Sequence, residues 1–598
     1  MKMENRKDDR KNKNRPQNFL KAWKKLLGEF EDYKISTIIA LLLAFMANIF
    51  FLMTPKKLGD MANEVKKGIE GNIDFQNIKS IVIVAMILMV FGAIMLYAQE
   101  FLIVTVVQKV SRKLRNKIAR KINKIPLQYF DNNSTGDILS RITNDVDMIS
   151  QSLYMGMSSF IGSITSLVGS LYMMLTTNLL LTGASVGSTL VGFALMFVIM
   201  KLSQKYFFKK QQTLGELNGY IAEVFESHTL IKTYNAKDEV TKDFNDINER
   251  LYDSVWKSEF LSRFMFPVMN FIGNFGYVAI AIIGAYLVLK GKISFGIIVS
   301  FMMYIRMFTH PLTNIAEIAT TMQGAAAAGE RVYEFLEEDE LEDEKDKKEY
   351  LNPEEVKGNV LFDHVSFGYV PEKTIIKNFS ADVKGGQKVA IVGPTGAGKT
   401  TLVNLLMKFY EIDGGKVLID GVDTKDITRE NIAELFCMVL QDTWIFEGTV
   451  YENISYNSSK SKEEVKKIAK SIGLDHFIEA LSDGYDTILN SNVTISQGQR
   501  QLITIARAMA KDAPMLILDE ATSNVDTRTE IVIQRAMDKL MKGRTSFVIA
   551  HRISTIINSD IILVLDKGDI IESGNHEELM AKRGFYYNLY NSQFDDNL

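Results

Sequence analysis

Gly393-Pro394-Thr395-Gly396-Ala397-Gly398-Lys399-Thr400 sets glycines, a lysine and a hydroxyl residue at the spacing of a phosphate-binding loop. Glycine at 393, 396 and 398 lets backbone N–H groups curl around phosphate oxygens, where a side chain would block the approach. Lys399 would lie over the outer phosphates and the Thr400 hydroxyl would ligate Mg²⁺. From Thr401 onward a helix start adds its partial positive charge. A second constellation, Met515 to Glu520, is an apolar run closed by two carboxylates, which suits two jobs in metal-assisted hydrolysis. Asp519 would hold Mg²⁺, directly or through water, and Glu520 would point to the other side and polarise the attacking water. Many buried strands stop at acidic residues, so this pair is a weak signal alone and a strong one beside the loop.

The elements that must position these groups are legible around them. Lys388–Val392 is a short β-branched run and Thr401–Met407 has helical spacing, which is the strand-loop-helix context the loop needs. Further strand candidates are Val360–Asp363, Val383, Lys416–Asp420, Met515–Asp519, Thr545–Ala550 and Ile561–Leu565, alternating with helices, so a mostly parallel sheet is expected. Gln499–Lys511 reads as a helix opening directly after Ser496-Gln497-Gly498, and the Gly498 amide there would form an anion site.

The first half has a different texture. The chain has 598 residues, too many for one core, with a formal net charge of −3. Hydrophobic residues make up 47%, crowded into long runs before the loop, and the balanced charge does not by itself point to nucleic acid. The single cysteine, Cys437, excludes an intrachain disulfide and reads as a core residue; six scattered histidines offer no metal-ligand spacing. Residues 1–30 form a basic segment without the apolar core and cleavage site of a secretory leader, and it marks the cytoplasmic side of a first span.

Six spans are expected: Ile35–Met53, ended by Pro55, then Ile78–Val107, Ile149–Thr177, Leu179–Leu202, Phe264–Leu289 and Ile293–Phe308. Ser159, Gly162, Ser163, Ser166, Gly169 and Ser170 recur at helical spacing and suit close helix packing. Short turns alternate with the long charged segments Gln108–Asp147 and Lys205–Arg263, so helices are expected to project beyond the bilayer into the cytosol. An even count puts both termini on the cytoplasmic side of the cell membrane, where the loop meets ATP. The expected organisation is a six-helix membrane domain over residues 31–336 with two cytoplasmic helical extensions, a solvated acidic linker over 337–355, and an α/β P-loop nucleotide-binding domain over 356–598. Glu100, Arg306 and His310 lie near span ends, where they either line a pathway or sit in the interfacial zone.

Ile495-Ser496-Gln497-Gly498-Gln499 resembles the LSGGQ signature of the ATP-binding cassette exporters, with Ile for Leu and Gln for the first Gly, and the resemblance extends over nearly the whole chain. In that family the signature of one nucleotide domain completes the ATP site of another. The resemblance implies that Tyr369 stacks on adenine, that Gln441 senses Mg²⁺, that Ser523–Asp526 signals across the dimer and that His551 contacts the γ-phosphate. Tyr129–Asp137 with Arg141–Asp145 resembles the first intracellular loop of these exporters, and Ile221–His228 with Lys232–Asn235 the second. Asp486–Thr494 departs from the Gly- and Glu-rich stretch that often precedes the signature. Intact Glu520 and His551 with Ser523–Asp526 resemble the catalytically competent subunit of heterodimeric bacterial exporters.

One loop and one signature per chain imply a second half-transporter, identical or related, as partner. The function implied is export or leaflet flipping of a hydrophobic or amphipathic small molecule or lipid, driven by ATP with Mg²⁺. The alternatives are a peptide exporter, or a regulator or channel gated by the same motor. A soluble cassette ATPase acting on nucleic acid is disfavoured by the six apolar spans, and no nucleic-acid partner is expected.

Overall fold

The computed structural model describes residues 19–595, apart from 72, 371–372, 441–442, 491–492, 494, 520–526 and 550–552. They form two compact units, one of the residues up to Asn123 with Thr135–Glu338, the other of Lys124–Ser134 with the residues from Asp339 onward.

The first unit is helical. A short helix α1 (Phe19–Gly28) precedes α2 (Lys34–Glu70) and α3 (Phe75–Ile122). After α4 (Leu127–Asn132), which belongs to the second unit, come α5 (Thr135–Ser140), α6 (Val146–Thr177), α7 (Leu179–Glu226), α8 (His228–Thr233), α9 (Lys237–Leu289) and α10 (Phe295–Glu337). At 48 residues, α3 is roughly 70 Å long, more than twice the hydrocarbon thickness of a bilayer. Apolar side chains cover the outer faces as well as the inner ones: Ile38, Leu42, Phe91, Ile94, Leu190 and Val191 are all more than 50% exposed. Such surface is stable only against lipid or another apolar partner. Five helices among the described residues are long and apolar enough to cross a membrane, and Asn274–Leu289 is a shorter apolar segment. The span expected at Phe264–Leu289 falls within the continuous helix α9, and Asn274–Leu289 is its described apolar part.

The expected stop at Pro55 does not occur; α2 runs through it to Glu70. Pro55 has no N–H for the Phe51 carbonyl one turn back, and side chains of α10 bond to α2 carbonyls beside that break. Ser300 donates to Pro55 O at 2.9 Å and Tyr304 to Leu52 O at 3.3 Å. One turn further, α2 and α10 meet backbone to backbone. A Cβ added at Gly296 would stand 1.9 Å from Gly59 O, so only glycine permits this crossing. On α6 a Cβ at Gly169 would fall 2.2 Å from Leu52 Cδ1, and Ser166 donates to Met307 O at 3.0 Å.

The second unit holds two larger sheets. Strands β3 (Lys388–Val392), β6 (Phe436–Val439), β9 (Met515–Asp519), β10 (Thr545–Ile549), β11 (Ile561–Asp566) and β12 (Asp569–Gly574) form one in the order β12-β11-β3-β10-β9-β6. All neighbours in it are parallel except β11 and β12. Its central strands are apolar and buried without alternation, as a sheet covered on both faces requires. The other sheet, β2-β1-β4-β5, is antiparallel throughout and comprises Ile376–Val383, Val360–Phe367, Gly414–Ile419 and Val422–Asp423. The expectation of one mostly parallel sheet thus covers only the first of these. A further two-stranded ladder joins β7 (Gly448–Thr449) to β8 (Ile488–Leu489).

The acidic run is held to this unit along part of its length. Glu344 accepts from the Arg429 amide at 2.6 Å and guanidinium at 2.8 Å, and lies 3.3 Å from the Lys408 ammonium. Burial alone would raise the Glu344 carboxyl, but these donors with Lys347 outweigh it and hold it below the usual range. Burial pushes Lys408 down to about 8.

Candidate functional site

The phosphate-loop residues leave β3 at its C-terminal end and enter α11 (Lys399–Leu406) through Gly398, which has φ 102°. That left-handed value is open to glycine at little cost. A Cβ at Gly393 would come within 2.2 Å of Leu565 O, so this glycine also seats the loop against β11. The turn is closed by Ala397 N donating to Pro394 O at 3.2 Å, while Pro394, Thr395 and Gly396 stay exposed. Lys399 arches back over the loop and donates to Gly393 O at 2.8 Å and Pro394 O at 3.0 Å. Burial lowers its pKa, and the Asp519 carboxylate acts the other way, so the two groups are electrostatic neighbours. The first amides of α11 have no partner inside the helix and the exposed Thr400 hydroxyl stands among them. This cradle suits an anion.

Strand order explains why distant sequence motifs meet here. β3, β10, β9 and β6 are consecutive neighbours and parallel, so they end at one edge of the sheet. Asp519 closes β9 in register with Ile549 of β10. The hydroxyl of Thr400 and the carboxylate of Asp519 are hard oxygen donors of the kind Mg²⁺ takes. Gln441, Glu520, Asp526 and His551 follow the ends of these strands in sequence but lie outside the described residues.

The aromatic position is built by three rings. Tyr369 packs edge-on against Phe367 and Tyr410, with centroids 5.0 Å away in each case. Its hydroxyl donates to Thr401 Oγ1 at 3.2 Å and accepts from Asn404 Nδ2 at 3.4 Å, which ties the ring to the phosphate-loop helix. Helix α4, whose residues belong to this unit, grips the same cluster: Gln128 Nε2 donates to Tyr369 O at 2.9 Å, and the Tyr410 hydroxyl donates to Asp131. Sequence reasoning placed Asp131 in the first loop but did not find Tyr410. Its only signal was an aromatic after the phosphate-loop helix.

The signature residues form a helix entrance of their own. Helix α12 (Gln497–Lys511) starts two residues before the expected Gln499, because Ser496 caps it. Ser496 Oγ accepts from Gln499 N at 3.2 Å and Gln499 Oε1 accepts from Ser496 N at 2.9 Å. Gly498 is buried within the first turn, and Ser496 and Gln497 are exposed.

An α/β unit with this cradle, fused to helices sheathed in apolar side chains, is an ATP-using membrane machine. Residues 37–312 match the family model for the ABC transporter transmembrane region, and residues 376–523 match the model for the ABC transporter itself. A fatty acid ABC transporter ATP-binding/permease protein of Mycobacterium bovis is 41% identical over 519 residues, spanning 86% of this chain and 82% of the relative. An ATP-dependent lipid A-core flippase of Syntrophus aciditrophicus is 35% identical over 506 residues, 84% and 83% of the two chains. A probable multidrug resistance ABC transporter ATP-binding/permease protein of Bacillus subtilis is 34% identical over 516 residues, 85% and 75%. The chain belongs to the ABC transporters, as an exporter-type ATP-binding/permease protein that binds ATP and couples its hydrolysis to transport.

Proposed function

We propose that this chain is one half of a dimer that moves a hydrophobic or amphipathic substrate across the cell membrane by alternating access, its nucleotide unit on the cytoplasmic side. The observation that carries the reading is that the chain has one phosphate cradle and one exposed helix entrance capped by Ser496, two separate anion-binding features that a second copy could bring together. In this reading Thr400 and Asp519 hold Mg²⁺, which neutralises phosphate charge when bound. Lys399 holds the outer phosphates and Tyr369 the adenine. Gln441 and His551 face the γ-phosphate side, Glu520 accepts the proton of the attacking water, and Asp526 relays across the dimer. The short helix α4 then connects the adenine pocket to the membrane helices on either side of it in sequence.

Transport is tested in proteoliposomes carrying the purified chain, with a panel of fluorescent lipid and drug-like amphiphiles. At least one should cross only with ATP and Mg²⁺. Hydrolysis without movement of any panel member would overturn the reading.

Tyr369→Ala is expected to raise the ATP concentration for half-maximal hydrolysis about 5- to 100-fold, the worth of one aromatic-base stack at roughly 1–3 kcal/mol. Tyr369→Phe should keep most of the affinity, because the ring remains. An Ala variant with unaltered KM would remove this residue from the site.

A further inference from the structure

Helices α2, α3, α6 and α10 line an open cavity of about 490 Å³ whose walls include Asn48, Gln99, Glu100, Ser159, Arg306 and His310. Its chemistry is lopsided. Gln99, only 1% exposed, donates from Nε2 to Ser158 Oγ at 3.2 Å and to Glu100 Oε1 at 3.4 Å, and the Ser158 hydroxyl donates to the same Glu100 oxygen. Those bonds serve one end of each group. Gln99 Oε1 and Glu100 Oε2 are buried with no hydrogen bond of good geometry among the described residues, the Tyr154 hydroxyl being the one further donor beside the Glu100 carboxylate. Arg306 does not neutralise the carboxylate: its Nε donates to the Tyr277 hydroxyl, and its guanidinium lies 5.2 Å from that ring's centroid. Among the described residues no ion pair reaches Glu100.

Two buried acceptors on adjacent residues, one of them a carboxylate inside an apolar helix unit, are costly unless donors arrive. A protonated amine brings a compensating positive charge and several N–H donors in one compact group. A fatty carboxylate or a phosphate brings more acceptors and a like charge, so it is disfavoured at this end of the cavity. We propose that this cavity binds the protonated amine head of an amphipathic substrate, with Glu100 Oε2 and Gln99 Oε1 as its acceptors. The assignment rests on the exporter reading for its transport consequence but not for the binding itself.

The test is equilibrium binding of radiolabelled hexadecylamine, without ATP, to the full chain in phosphatidylcholine nanodiscs, corrected with empty discs. Glu100→Gln, which keeps the shape and removes the charge, should weaken saturable binding by at least about tenfold, the loss of a charge-assisted hydrogen bond. Glu100→Asp should recover most of it, which separates loss of charge from loss of folding. Palmitate should fail to compete. Equal amine affinity in wild type and Glu100→Gln would overturn the proposal and leave Glu100 carrying a proton or a water; displacement by palmitate would overturn it in favour of an anion site at Arg306. ATP-driven movement of the same probes in liposomes is read separately. If another amphiphile moves while the amine does not bind, the cavity proposal fails and the exporter reading stands. If the amine binds through Glu100 and nothing moves, the reverse holds.

Discussion

Glu520→Gln should keep ATP binding and lose about 10²- to 10⁴-fold in steady-state hydrolysis, the contribution of one positioned general base. Glutamine matches the shape and can still orient a water, but it cannot take the water's proton. The neighbouring carboxylate cannot take over that role. Asp519 closes β9 beside Ile549 and lies near the Lys399 ammonium, so in the proposed site its charge serves the phosphate and metal side. Nucleotide binding should survive because the cradle is built from β3, Gly393, Gly398 and α11, none of which involves Glu520. Phosphate release and binding of a fluorescent ATP analogue, measured on the same preparation, separate the two effects. Hydrolysis at the wild-type rate would sink the assignment of Glu520 as the base.

The cradle was legible because its information is local: glycines that must adopt left-handed or crowded backbone stand at fixed offsets from a lysine and a threonine. The helix after the signature was legible for the same reason, but its start was set at Gln499 and the Ser496 cap, whose capping box uses Gln499 as its third residue, was not read. Pro55 misled because a proline reads as a stop only when its neighbours are unknown. Ser300 and Tyr304, more than 240 positions away, bond to the Pro55 and Leu52 carbonyls and brace α2 where it runs through the proline. The antiparallel sheet was hard to see in β2, where Lys377, Asn378 and Ser380 break the apolar run and only one face is buried. The linker's charges resembled a solvated face, yet Glu344 finds its partners Lys408 and Arg429 beyond three and five strands of intervening chain. Glu100, Arg306 and His310 stood out singly as ionisable residues in apolar runs. Their convergence on one cavity, and the orphaned Gln99 oxygen beside them, depend on how α3 and α10 pack.

In the proposed dimer the ATP site is divided between two copies. Ser496→Asp should abolish nucleotide-driven closure without unfolding α12, because aspartate is as good an N-cap as serine and can still accept from Gln499 N. What it adds is a negative charge where the partner's phosphates must dock, worth about 4 kcal/mol per charge pair at about 4 Å, or roughly a 10³-fold loss. Lys399→Met should be equally inactive for a different reason, since it removes the ammonium held over Gly393 and Pro394. Each variant alone builds two defective sites per homodimer. Co-expressed under different tags and isolated as mixed particles, they build one site from the intact loop of the Ser496→Asp copy and the intact signature of the Lys399→Met copy. Trapped nucleotide should then reappear at about one per mixed dimer, against almost none in either parent. A mixed particle that traps no more than its parents would place the signature outside the partner's ATP site, or show that the working partner is a different chain; repeating the measurement with a copurified related subunit separates those two results.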